Sequence, residues 1–175
     1  STAVGVSNYS IDLGEGDDSL NVWASATGAD PSATGILDSS VDTGAGNDYV
    51  SVSAFTSDST TWDPAIGLQD TTLTTAAGAD TVYVSASANG TSATLDATGL
   101  LGTSLDGTAQ PTLNTGSDND VVSISANANG TQGEWQDIFD SSGEWVSSEW
   151  VVTQADQSTA VGVSNYSIDL GEGDD

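Results

Sequence analysis

The sequence predicts an all-β chain, most simply a parallel β-solenoid (β-roll or β-helix-like) with one coil for each Gly-x-Gly-x-Asp module. Three observations predict it. Apolar residues alternate strictly with polar ones over eight or nine positions, the period of a half-buried strand. A glycine-rich turn ending in Asp precedes each such run, and Gly supplies the positive φ that other residues resist. The turn and the strand recur together in the same phase, which is the mark of a repeat architecture. No window holds the 3.6-residue apolar stripe of a helix, and Gly, Ser and Thr are poor helix formers.

The first module runs Ser10-Ile11-Asp12-Leu13-Gly14-Glu15-Gly16-Asp17-Asp18, then Leu20, Val22, Ala24 and Ala26 at every second position. The second turns at 44–48 and continues into Val50, Val52 and Ala54; the third turns at 76–80 and leads to Val82, Val84, Ala86 and Ala88. The fourth turns at 116–120 and leads to Val122, Ile124, Ala126 and Ala128, and a fifth turn ends at Asp175. Each module therefore reads as a short strand, a tight turn and a longer strand. The stretches 29–39, 58–71 and 91–110 read as loops of varying length. A Trp-rich insert, 131–157, reads as a hairpin about Asp140-Ser141-Ser142-Gly143.

A longer repeat encloses these modules. Residues 1–18 and 158–175 are the same eighteen letters, a period of 157 residues. The organisation expected is thus one tandem unit, 1–157, followed by the identical start of the next. With no initiator Met at Ser1, the chain is expected to be a mature product or a piece of something longer. The rival fold is an antiparallel β-sandwich of four hairpins, each glycine turn closing one.

Composition narrows the function. The 175 residues contain no Lys, Arg, His or Cys, against 26 Asp plus Glu, for a formal charge of −26. Without cations there is no counterion-releasing surface for nucleic acid and no basic patch for a membrane. Without His or Cys there is no Ser-His or Cys-His nucleophile and no thiolate metal site. The acids recur in equivalent positions, whereas a glycosidase needs two differentiated carboxyl groups, so no enzyme is expected. No apolar run reaches transmembrane length. Self-repulsion at −26 opposes compaction unless bound cations offset it.

Stacked coils would bring Asp18, Asp48, Asp80 and Asp120 into a column about 4.8 Å apart. Like charges at that spacing repel unless cations sit between them. Carboxylates and carbonyls, with no soft donors present, select Ca²⁺ over Zn²⁺ or Cu²⁺. The alternative use of each Asp is to close its own turn through a local backbone bond.

These stretches resemble the calcium-binding nonapeptide repeats of RTX-type secreted bacterial proteins, consensus Gly-Gly-x-Gly-x-Asp-x-U-x with U a large apolar residue. Residues 13–21 and 43–51 match best; 75–83 and 115–123 are weaker copies, with Ala76 for the second Gly and Asp118 for the third. The family's first Gly is Leu or Thr in every copy. The resemblance implies carboxylate ligands at Asp18, Asp48, Asp80, Asp120 and Asp175. It places beside them the turn residues Gly14, Gly16, Gly44, Gly46, Gly78 and Gly116, with Asp17, Asn47 and Asp118.

The expected function is structural: a unit of an extracellular or surface-displayed filament or stalk, stiffened by calcium and continued end to end by copies of itself. The alternative is an adhesin module that binds glycans or cell surfaces through the Trp-rich insert, with Trp135, Trp145 and Trp150 as its candidate contacts. Asn8, Asn89, Asn129 and Asn165 fit the N-glycosylation pattern, at a frequency expected by chance in so Ser- and Thr-rich a chain.

Overall fold

A computed structural model describes the chain except residues 60–63, 93, 104–109, 131, 140–144 and 155–156; within 132–139 and 145–154 it describes the backbone. The described residues are all-β, and three sheets are built from parallel strands. The chain visits the three sheets in a fixed order, and one pass is one module. The first pass is β1 (Thr2–Ser7), β2 (Ser10–Asp12) and β3 (Ser19–Thr27). The next are β4 (Ser32–Leu37), β5 (Ser40–Asp42), β6 (Tyr49–Ser59), then β7 (Pro64–Gln69), β8 (Thr72–Thr74), β9 (Thr81–Gly90). They are followed by β10 (Asp96–Leu101), β11 (Thr112–Asn114) and β12 (Val121–Gly130). After the hairpin of β13 (Gln132–Phe139) and β14 (Trp145–Gln154), β15 (Thr159–Ser164) and β16 (Ser167–Asp169) begin a further pass.

Strands of one kind stack on each other: β1-β4-β7-β10-β15, β2-β5-β8-β11-β16 and β3-β6-β9-β12. The arrangement is compatible with a β-solenoid. It corrects the antiparallel sandwich of four hairpins: the two arms of each glycine turn lie in different sheets, and only β13 and β14 pair antiparallel among the described strands. A tight turn followed by an alternating strand fits both folds, so the turn sequence alone could not separate them.

Register keeps like residues in line. Leu20, Val50, Val82 and Val122 form one ladder, and Val22, Val52, Val84 and Ile124 the next. Both ladders face a shared core with Val41, Leu73 and Leu113 of the short-strand sheet and Ile36, Leu68 and Leu100 of the third sheet. Further along the long strands the ladders change to Ala24, Ala54, Ala86 and Ala126. There the interior narrows against Ala33, Ala65 and Ala97.

The stretches expected to be loops contain the third sheet, β4, β7 and β10. Their signal is a Gly two residues after an Ala: Gly5, Gly35, Gly67, Gly99 and Gly162. A Cβ built on Gly35 would lie 2.4 Å from Val52 Cγ1 and 2.5 Å from the Gly67 carbonyl oxygen. Glycine therefore lets this sheet close onto the valine ladder. Gly35→Ala is expected to cost about 3 kcal/mol by overpacking, measured by denaturant unfolding. Gly28→Ala, with open space around it, serves as the comparison for backbone strain alone.

Candidate functional site: the aspartate ladder

The glycine turns carry the chain from the short-strand sheet to the long-strand sheet. Gly14, Gly16, Gly44, Gly46, Gly78 and Gly116 all have positive φ, between 87° and 147°. Ala76 and Asp118, the two departures from glycine, adopt positive φ as well, at 64° and 82°. The turns themselves stack. Gly16, Gly46 and Gly78 donate their N–H groups to the carbonyls of Ala45, Ala77 and Ser117 in the following module, at 2.8, 2.8 and 3.2 Å. A Cβ on Gly44 would fall 1.6 Å from the Gly14 carbonyl oxygen, so only glycine allows that approach.

The key aspartates form a column, as their spacing predicts. Asp48, Asp80 and Asp120 are 2, 1 and 3 % exposed. Each carboxylate accepts the backbone N–H of the key Asp one module earlier: Asp18 donates to Asp48 Oδ1 at 2.9 Å, Asp48 to Asp80 at 2.8 Å, Asp80 to Asp120 at 2.9 Å, and Asp120 to Asp175 at 3.0 Å. These backbone bonds thus bridge modules, and none of them closes the turn of its own Asp. Local closure falls to Asp42 and Asp169, whose Oδ1 atoms accept from Gly44 and Gly171 at 3.0 Å each.

A second, outer set of bonds runs the opposite way. Asp17 Oδ1 accepts from Asn47 N–H at 2.8 Å, Asn47 Oδ1 from Ala79 N–H at 2.9 Å, and Asn119 Oδ1 from Asp174 N–H at 2.8 Å. Asn119 belongs to this set and Asp118, placed among the candidate ligands by resemblance, does not; its N–H donates to the Glu172 carbonyl at 2.8 Å.

The second carboxylate oxygens are less well served. Thr43 Oγ1 donates to Asp48 Oδ2 at 2.5 Å. Asp18 Oδ2, Asp80 Oδ2 and Asp120 Oδ2 are buried without a partner. Thr43, Thr75 and Thr115 are fully buried; they occupy the place where the nonapeptide consensus has its first Gly. Sequence comparison marks them as departures, whereas the fold turns Thr43 toward the carboxylate column. Thr75 and Thr115 donate to the carbonyls of Thr115 and Leu170 at 3.1 and 3.2 Å.

Burial pushes the Asp80 carboxyl above its ordinary value of 3.8; the Asp48 N–H opposes the rise, and the charges of Asp120 and Asp48 add to it. A carboxyl raised on folding binds its proton more tightly in the folded chain, so ionising it subtracts stability. For Asp80 the loss is absent below about 3.8 and complete once pH passes the higher folded value. Metal-free protein should accordingly melt at a lower temperature as pH rises from 3.5 toward 7, and Asp80→Asn should flatten part of that slope.

Among the described residues no group of three or more Asp or Glu side chains converges as a ready-made metal cluster. The column is linear, with one carboxylate per module. Oxygen donors for a cation would therefore come from successive modules together with turn carbonyls. The carbonyls of Ala76 and Gly116 already accept from Ser117 and Glu172, at 3.0 and 3.1 Å.

The remaining candidates lie elsewhere. Asn8 and Asn165 sit at left-handed corners, φ 58° and 52°, before β2 and β16. Asn129 donates to Asn89 Oδ1 at 3.1 Å near the ends of β12 and β9. The expected hairpin is present as β13 and β14, with Trp135 opposite Trp150 in register. The side chains of Trp135, Trp145 and Trp150, and the tip at 140–144, lie outside the described residues.

No family model, curated protein or solved structure matches this chain.

Proposed function

We propose that the chain is a structural unit of an extracellular or cell-surface filament or stalk, a parallel β-solenoid with one coil per module, extended by further 157-residue units. The observation that carries the reading is the placement of the repeated eighteen residues. As β1 and β2 they pair with β4 and β5; as β15 and β16 they pair with β10 and β11. One sequence is thus complementary on one edge to the second module and on the other to the fourth. A coil with both edges occupied joins two units without a break.

Tyr9 and Tyr166, the same residue of the repeat, support the joint. Tyr166 packs on the core, donates its hydroxyl to the Thr71 carbonyl and accepts the Thr71 N–H at 3.2 Å. Tyr9 is 69 % exposed. In an array it would insert into the preceding unit as Tyr166 does here, one peg per joint.

Calcium is the proposed counter-ion. The buried, unpartnered Oδ2 atoms of Asp18, Asp80 and Asp120 support it, because a desolvated carboxylate oxygen left unsatisfied costs roughly 1–3 kcal/mol or more. The resemblance to RTX-type repeats points to the same ion.

The test is a chain of two and of three units. Each added unit contributes four coils, so length should grow by roughly 19 Å per unit at constant width, read by X-ray scattering and electron microscopy. Beads jointed at variable angles would exclude the continuous filament. Chains in which Tyr166 is replaced by Ala should bend or melt first at the joint.

A further inference from the structure

Module stacking uses the edges and interior of the sheets and leaves the outer surface of the β3-β6-β9-β12 sheet without a role. Each of these strands turns five side chains outward, at alternate positions of 19–27, 49–57, 81–89 and 121–129. In a chain of charge −26, none of these positions is Asp or Glu. Ser, Thr and Asn dominate them, and aromatic rings fall one to a column.

Parallel register places the rings. Tyr49 lies in the column of Ser19, Tyr83 in that of Asn21 and Ser51, Trp23 in that of Ser53 and Ser85, and Phe55 in that of Ser25. Columns two residues apart are separated by about 6.6 Å, so the four rings span about 20 Å along the strand direction over three adjacent modules. Trp23 is 75 % exposed, Tyr83 42 % and Tyr49 40 %. The Tyr49 and Tyr83 ring centroids are 5.9 Å apart, tilted by 55°. A shallow groove beside Trp23 is lined by Asn21, Ser51 and Ser53. The Ser85 hydroxyl donates to Ser53 Oγ at 3.1 Å, which holds a hydroxyl row between the rings.

The geometry points to a binding site for an extended neutral polysaccharide of equatorially linked pyranoses, laid along the strands over Tyr49, Tyr83, Trp23 and Phe55. Pyranoses offer flat C–H faces to aromatic rings and hydroxyls at their rims, which the serine and asparagine side chains between the rings can pair. A Tyr49–Tyr83 pair and a Trp23 set apart from it, with hydroxyls alongside, suit such a ligand better than an apolar protein surface, which would need a contiguous patch. Charge selects within the class: the acidic chain repels nucleic acids and anionic glycans at long range, and the face itself offers them no cation. The site is distinct from the tryptophans of the hairpin and needs no neighbouring unit. In an array it would recur once per unit and add avidity.

The 175-residue chain is titrated with cellohexaose, with chitohexaose and with polymannuronate, an anionic chain with the same equatorial linkage, by calorimetry and tryptophan fluorescence. Saturable binding of at least one neutral hexasaccharide is expected, and none of polymannuronate. Trp23→Ala and Tyr83→Ala should each weaken it about tenfold with an unchanged circular dichroism spectrum, and Trp23→Phe should retain most of it. The proposal is overturned if neither hexasaccharide binds or if polymannuronate binds equally well. Binding that survives Trp23→Ala, or is lost only with Trp135→Ala, Trp145→Ala or Trp150→Ala, overturns it too. So does self-association that Trp23→Ala abolishes in the absence of sugar binding, since the face would then be an interface between copies.

Discussion

Replacing Val84 with Asp should break the stack of modules at β9. Val84 is 1 % exposed, sits between Val52 and Ile124 in its ladder, and its Cγ1 fills the space above Gly67. A carboxylate there has no cation within the chain to pair with and no donor of its own. The cost is about 4 kcal/mol or more, a large share of the 5–15 kcal/mol that holds a typical domain. The parallel stacking makes the damage local at first, since each module contacts chiefly its neighbours. Hydrogen exchange should show β6, β9 and β12 losing protection before β1 and β2. Val84→Thr, nearly the same shape, should retain the fold with a lower melting point. If Val84→Asp melts like the parent chain, the shared interior described here is wrong.

Calcium should produce the second large effect. Residues 1–157 carry 22 carboxylates, the 26 of the chain less the four in 158–175, and no basic side chain. Extracellular oxygen-ligand sites commonly bind Ca²⁺ at about 10⁻⁴–10⁻³ M. Ca²⁺ at a hundredfold excess over its dissociation constant would add about 2.7 kcal/mol per site, a rise in melting temperature on the order of 5–10 °C. Chelator should reverse it, and Mg²⁺ at equal ionic strength should give less. The triple variant Asp48→Asn, Asp80→Asn, Asp120→Asn separates the two uses of the ladder. Asn keeps an oxygen that accepts the N–H of the previous module but sheds the charge. If calcium binds, the variant loses the response; if the column is held by hydrogen bonds alone, parent and variant both ignore the ion and the variant is the more stable.

Much of this architecture is legible in the residues. Alternation sets the phase of β3, β6, β9 and β12 because side chains in a pleated strand point to opposite faces in turn. Gly14, Gly16 and their counterparts mark the corners because only glycine takes large positive φ without cost. The identity of residues 1–18 with 158–175 marks a repeat at a spacing of 157 residues. The third sheet was not legible: in β4, Ser32–Leu37, four consecutive residues are buried, so a six-residue strand shows no alternation, and its glycine reads as a loop signal. Its necessity appears only when Val52 is found against Gly35.

The role of the aspartates divides in the same way. Their number, spacing and lack of counter-ions are properties of the chain, and from these the column follows once modules stack in register. Which atoms they bond does not follow. Asp80 is joined to Asp48 and Asp120 by hydrogen bonds that span 32 and 40 residues, and nothing local distinguishes that use from closing a turn. Parallel stacking also remained open to the sequence, because an alternating strand has the same pattern whether its neighbour runs with it or against it. Tertiary structure decided it, through a core that fills only when the valines of successive modules lie level and the glycine strands close over them.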